Sequence, residues 1–359
     1  MQIFIDTNIF HNHWQLKNVD FSFLFNFIRN TESKLLISEV VVVENENNRN
    51  KELLSQRSVI EKALKTINII SKDPVDIDFK NLAKEYKFKE VLEEKLDKDF
   101  IDYIDVTDIP QKETLKRALE NRPPFKIKEK GYRDTLIWLS LLYHLKKNGI
   151  KEEVAFISAN SDDFYNGQKT GLKKELQEDL DNLGMECKIK VYNSLFLFIE
   201  KNVMDDDIFD ENELDQVEGQ IEDCTINFIN EYTIDQLRNS LAGRLNVLSN
   251  LLTIKSHEFE IAEGMEDAGI VKANRTNGPK IYIIYEYNFR IVEFRINLSK
   301  EEFEANYEKL RTLGNYEELE DGDIQIEIYP RLFFKSSFEY DARTKVVDGL
   351  VVNALAYKL

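Results

Sequence analysis

Six prolines, 13 glycines and two cysteines are few for a chain of 359 residues. That scarcity excludes a collagen-like or low-complexity polymer, and the 42% of hydrophobic residues is the composition of an ordinary globular protein. Cys187 and Cys224 lie far apart without metal-type spacing, so neither a zinc cluster nor a disulfide framework is expected and the thiols should be reduced. No run of about 18 uncharged apolar residues exists, and residues 1–10 carry neither a basic n-region nor a cleavable apolar run. The expectation is a cytoplasmic protein that crosses no membrane. Internal repeats, a Gly-rich phosphate loop and a Cys/His cluster are also missing.

What is abundant is acid, with a net charge of -18. Residues 1–200 carry about -3 of it and residues 201–359 about -15, so the acidity belongs to the second half. Within the first half, residues 109–147 reach roughly +6, through Lys112, Lys116, Arg117, Arg122, Lys126, Lys128, Lys130, Arg133, Lys146 and Lys147. This strip is either a phosphate-binding surface or a solvated helix face.

Two domains are expected from the length. Ile3-Phe-Ile-Asp6 reads as a buried strand running into a polar turn, and residues 20–29 as a core-packed helix with an Asp20 cap. Lys34-Leu-Leu-Ile37 is a second strand. The valines Val40–Val43 have strand propensity, yet Ser38 and Glu39 resemble an N-cap and a first-turn acid, so a helix is expected from about residue 39. Polar helical sequence continues to about residue 100, interrupted at Lys72-Asp73-Pro74. Pro110 and Pro123-Pro124 mark a loop-rich connection to a long apolar helix beginning near Gly131. Strands at 154–158 and 188–192, with a helix at about 169–183 between them, complete an α/β domain with a parallel sheet over residues 1–203. Residues 204–223 read as an acidic linker or the start of a solvated helix, and 224–359 as a second, α+β domain. That domain should hold an amphipathic helix at 224–253, strands at 280–287, 289–296, 325–328, 331–340 and 345–354, and a helix from a Ser299–Glu302 capping box to about 311.

Ligands of an open parallel sheet bind beyond the carboxyl ends of its strands. Asp6 stands at one such end; Glu44 lies just past the second strand, Asp134 in the first turn of the apolar helix, and Asp162 and Asp163 in the turn after the strand at 154–158. These places can converge on one rim. Carboxylates held together repel unless a cation compensates them, which points to Mg2+ or Mn2+ with oxygen ligands; the absence of His or Cys partners disfavours zinc.

The segments Ile3–Asn8, Ile37–Glu44, Gly131–Ile137 and Phe156–Phe164 resemble, in order and separation, the four signatures of PIN domains. The likeness is nearest to a bacterial group with a long insertion between the second and third acids, and it covers about residues 1–200. It implies a metal-dependent hydrolase, an endoribonuclease of RNA with DNA not excluded, from a family that serves in toxin modules, defence and RNA processing. Carried over by residue, it assigns Asp6, Glu44, Asp134 and Asp163 as metal-holding catalytic acids. Asp162 competes with Asp163, and Glu39 with Glu44, although five residues place Glu39 on another helix face. Asn160 would orient the substrate or an acid, and Arg133 and Lys130 would contact phosphate, with a surface ion pair the alternative for Arg133. Thr7, Asn8 and Ser158 would fix Asp6 through hydrogen bonds, or simply form turns.

Other residues read more plainly. His11 and His13 are loop histidines, Trp14 and Trp138 core residues, and Tyr285, Tyr287 and Phe289 a packed strand face rather than a base-stacking one. A phosphatase of the haloacid dehalogenase type needs a second Asp where Asn8 stands. A non-catalytic RNA-binding or interaction module on the same fold is the competing class. The acidic second domain is expected to serve as a regulator or a docking element for a protein partner, and oligomerisation stays open.

Overall fold

Strand β1 (Gln2–Ile5) is buried at all four residues, as the apolar run Ile3-Phe4-Ile5 requires of a strand flanked on both sides. It lies at the centre of a five-stranded parallel sheet of order β3-β2-β1-β4-β5, with β2 at Lys34–Ser38, β3 at Ile101–Ile104, β4 at Val154–Ile157 and β5 at Ile189–Tyr192. Phe4 faces Phe156 across the β1–β4 pair, their rings stacked at 5.4 Å. The computed structural model describes residues 1–72, 75–77, 79, 86–126, 131–202, 214–231, 253–261, 264–275, 279–289 and 292–358. The chain divides into two compact units, Met1–Asn202 and Val203–Leu359.

The helices of the first unit are α1 (Val19–Thr31), α2 (Glu39–Ile70), α3 (Phe88–Lys95), α4 (Gln111–Leu119), α5 (Tyr132–Lys147), α6 (Ser161–Phe164), α7 (Lys174–Asn182) and α8 (Leu195–Asn202). Helix α2 takes in the four valines because the Ser38 hydroxyl caps it, accepting from the Val40 N–H at 3.3 Å, while Val41 and Val42 are buried. The cap of α1 is Asn18, not Asp20: its side chain accepts from the Phe21 N–H at 3.0 Å, and Asp20 falls inside the first turn. The sequence between α2 and α5 holds more structure than its pattern suggests. The stretch expected to stay helical to about residue 100 ends in α3, followed by the edge strand β3, where only Ile101 and Ile104 are buried. The expected loop after Pro110 is helix α4, and the helix expected from about 169 starts at Lys174. The interruption at residues 73–74 lies outside the described residues.

The second unit holds helix α9 (Glu218–Glu231) and two antiparallel four-stranded sheets. One has the order β10-β11-β9-β6, with β6 Ile254–Ile261, β9 Val292–Leu298, β10 Asn315–Glu318 and β11 Ile324–Ile328. The other has the order β13-β12-β8-β7, with β7 Met265–Arg275, β8 Lys280–Phe289, β12 Arg331–Asp341 and β13 Val346–Lys358. Short helices α10 (Lys300–Ala305) and α11 (Tyr307–Leu310) replace the single helix expected after Ser299, which does cap α10. Strands β6, β7 and β10 were not anticipated.

Of the two readings of 204–223, the described part carries the helix start, at Glu218, and it is anchored rather than solvated. Leu214, Val217 and Ile221 are buried in the core beside β8 and β12, so the acidic stretch carries apolar anchors at helical spacing. Residues 204–213, and 232–252 of the helix expected to end at 253, lie outside the described residues. Tyr285, Tyr287 and Phe289 pack as expected: the Tyr287 ring stacks on Phe334 at 5.4 Å, and its hydroxyl lies 2.6 Å from Thr225 Oγ1. Among the described residues no helix is long and apolar enough to cross a membrane.

Candidate active site

The chain leaves β1 in one direction for β2 and returns on the other side of β1 as β4, so the strand order reverses between these two neighbours. A crevice opens at the carboxyl ends of strands at such a switch point. Here it is a cleft of about 310 Å³ lined by Asp6, Thr7, Asn8, His11, Trp14, Glu44, Asn48, Asp134 and Asn160.

Asp6 follows β1 directly and is 2% exposed. Its Oδ1 accepts from the Thr7 N–H at 2.7 Å; Oδ2 accepts from Ser158 Oγ at 2.6 Å and Asn8 Nδ2 at 2.8 Å. Asn8 in turn accepts from the Ala159 N–H at 2.9 Å, which ties the turn after β1 to the turn after β4. Thr7, Asn8 and Ser158 thus hold Asp6 in place. The Thr7 hydroxyl also donates to Glu44 Oε2 at 2.9 Å.

Asp134 is presented by the first turn of α5, whose start depends on glycine. Gly131 caps the helix at φ 89°, and a Cβ there would collide with the Pro124 carbonyl oxygen. The Asn160 amide bridges two acids, donating to Asp134 Oδ1 at 3.2 Å and to Asp163 Oδ2 at 2.5 Å. Asp163 is 5% exposed, whereas its neighbour Asp162 is exposed. Glu39 is exposed outside this cleft, while Glu44 lines it.

Two cations of the protein itself reach these acids. Arg133 pairs with Glu44, and Lys126 with Asp163. Lys126 was not singled out from the sequence, where it is one lysine among many; Lys130 lies outside the described residues. The remaining arginines of the expected basic strip are spent elsewhere. Arg117, 1% exposed, donates to Asp179 Oδ2 at 2.5 Å, and Arg122 donates to Asp179 Oδ1 at 2.9 Å. Trp14 corrects the expectation of a core residue: it is half-buried and lines the cleft, whereas Trp138 is fully buried.

Burial, more than any other cause, pushes the Asp6 carboxyl up to about 7; the hydrogen bond from Ser158 opposes it, and the charges of Asp134 and Glu44 add to it. Asp134 is raised as well, by burial and then by Asp163 and Glu44. A carboxyl raised in the folded state takes up a proton on folding, so its stabilising contribution is full below about pH 4 and lost as pH rises through about 7. In cation-free protein the folding stability should therefore fall between about pH 4 and 7, by up to about 1.4 kcal/mol per pH unit from Asp6, and level off above that. Asp6→Asn should flatten that slope. Parallel pH profiles for the two proteins in urea melts would show that Asp6 does not titrate in this range.

The donor set suits a hard divalent cation, since the cleft offers carboxylate and amide oxygens together with the cation-binding capacity of acids whose charges repel. Among the described residues no three acids, histidines or cysteines are drawn together as a ready-made ligand cluster. Lys126 and Arg133 instead supply the compensating charge. Lys126 and Arg133 are 46% and 65% exposed, whereas their partners Asp163 and Glu44 are 6% and 15% exposed, so a divalent cation would have to take over their charge on the buried acids.

The N-terminal unit is thus a parallel α/β fold with acids gathered at the switch point of its sheet. Residues 3–164 match the family model of the PIN domain, and the N-terminal unit is a PIN-like domain, from a family whose members are in general nucleases. No curated protein and no solved structure matches the chain.

Proposed function

We propose that the first unit is a divalent-cation-dependent endoribonuclease. The observation that carries this reading is the gathering of Asp6, Glu44 and Asp134 on one cleft, with Asn160 joining Asp134 to Asp163. Asp6, Asp134 and Asp163 would hold Mg2+ or Mn2+, and Glu44 a second ion or the attacking water. When bound, such a cation activates water as the nucleophile and offsets charge on the phosphate. The protein's own groups do the rest. Thr7, Asn8 and Ser158 keep Asp6 in one orientation, and Asn160 keeps Asp134 and Asp163 in register. Arg133 and Lys126, released from Glu44 and Asp163, turn to the phosphate oxygens.

The test uses the full chain, a single-stranded RNA of mixed sequence and a DNA strand of the same sequence. RNA should be cut internally in Mg2+ or Mn2+, with activity lost in EDTA and restored by excess cation. A chain that binds RNA and leaves it intact with either cation would favour a binding module instead.

A further inference from the structure

We propose that Trp14 is a base-stacking platform beside the acids, on which one base of a single-stranded RNA rests while its phosphate faces Asp6 and Asp134. The inference rests on the nuclease reading and adds to it how the strand is recognised.

The chain has two tryptophans, and their surroundings differ in kind. Trp138 is fully buried, and its indole N–H donates to Asp179 Oδ2 at 2.8 Å. Trp14 lines the catalytic cleft, and its indole N–H has no partner among the described residues. A large ring of this kind, half-exposed in a polar cleft, is ready to meet a flat partner. His11 stands beside it, ring centroids 5.5 Å apart and the planes nearly perpendicular, so the two rings are not stacked face to face.

The loop that carries Trp14 is built to hold it. Its carbonyl lies 2.7 Å from the Tyr86 hydroxyl, which is also 3.2 Å from Asn45 Oδ1 on α2, the helix that bears Glu44. The Leu16 N–H donates to the His13 carbonyl at 2.8 Å, and Leu16 is buried at φ 50°, left-handed backbone that a leucine adopts only where packing enforces it. A preorganised ring loses little freedom when a base lands on it.

The charges around the cleft point the same way. Arg117 and Arg122 are committed to Asp179, which leaves Arg133 and Lys126 to meet phosphate in a half of the chain that carries about -3. Phosphate attraction alone is a poor source of affinity there. Stacking on an aromatic face needs no net charge, tolerates any base and requires an unpaired strand. The expected substrate is accordingly single-stranded, and its binding should depend on salt less steeply than that of a basic RNA-binding surface.

The test uses full-length protein carrying Asp6→Asn, so that the strand survives. It is titrated with a labelled single-stranded RNA and with an abasic phosphodiester strand of equal length. Label anisotropy reports binding, and tryptophan emission reports contact, since only Trp14 is accessible. RNA should bind and quench the emission, while the abasic strand should bind more weakly and quench little. Trp14→Ala should weaken RNA binding by roughly 5- to 100-fold, the range for losing one stacked base, and abolish the quench, with Trp14→Phe restoring most of the affinity. Binding of RNA without a change in emission, or parental affinity in a folded Trp14→Ala, would overturn the platform and leave the nuclease reading standing. Should Trp14→Ala not fold, the parental emission decides. Absence of both RNA binding and cleavage by the parental chain would overturn the nuclease reading and this inference together.

Discussion

Asp6→Asn and Asp134→Asn should each lower cation-dependent RNA cleavage on the order of a thousandfold or more while leaving the protein folded. Both acids face the cleft, and each would lose a cation-binding oxygen with almost no change in shape. The folded state can absorb the change. An amide at position 6 removes a buried charge, which favours folding, but it turns one acceptor toward the donors Ser158, Asn8 and Thr7, a loss of about 1 kcal/mol. Near neutral pH the first effect is the larger, so the variant should stay folded and be, if anything, slightly more stable. Asp163→Asn should also be severe, because Asp163 is buried and joined to Asp134 through Asn160. Asp162→Asn and Glu39→Gln, at exposed positions, should be mild. Single-turnover cleavage and a thermal melt for each variant decide the matter. Near-parental, cation-dependent cleavage by folded Asp6→Asn and Asp134→Asn would remove the assigned site.

The parts of this site that the sequence revealed are those fixed by local pattern. Ile3-Phe-Ile ahead of Asp6 and Val154–Ile157 ahead of Ser158 are continuous apolar runs ending in polar turns, and such runs form buried parallel strands. Strand β3 escaped notice because an edge strand of four residues has too short an alternation to stand out from helical neighbours. Helix α4 was hidden by its many charges and by a proline on either side. Its one deeply buried residue is a charged one, Arg117, which no hydrophobic pattern reports. Pairing across the fold was equally invisible. Nothing local ties Lys126 to Asp163, or Arg133 to Glu44, and a net positive count over residues 109–147 says nothing about which charges are free. Trp14 follows the same logic: tryptophan is usually core, and only the reversal of strand order between β1 and β4 puts its loop on the cleft.

The buried arginine leads to the largest expected effect on stability. Asp179, on α7, accepts from three groups: Arg117 Nη2 at 2.5 Å, Arg122 Nη2 at 2.9 Å and Trp138 Nε1 at 2.8 Å. Asp179→Ala strands the Arg117 guanidinium, which is 1% exposed and keeps only the Pro123 carbonyl and, at 3.9 Å, Glu113. Breaking a buried pair from one side costs about 3–5 kcal/mol, which for a unit of this size lowers the melting temperature on the order of 10 °C. The cost should be asymmetric. Arg117→Met leaves Asp179 with Arg122 and Trp138, so its charge stays compensated, and the loss should be clearly smaller. Arg122 is only partly buried and can turn to water in either variant. In the double variant Arg117→Met with Asp179→Leu no charge is stranded, so it should recover much of what Asp179→Ala loses. The network also holds α4, the Pro123 connection and α5 together, and these carry Lys126 and Asp134 to the cleft. Urea melts of the three variants give the order directly. If Asp179→Ala costs no more than about 1 kcal/mol, the range of an exposed pair, the Arg117 charge is hydrated in solution and the network does not position the site.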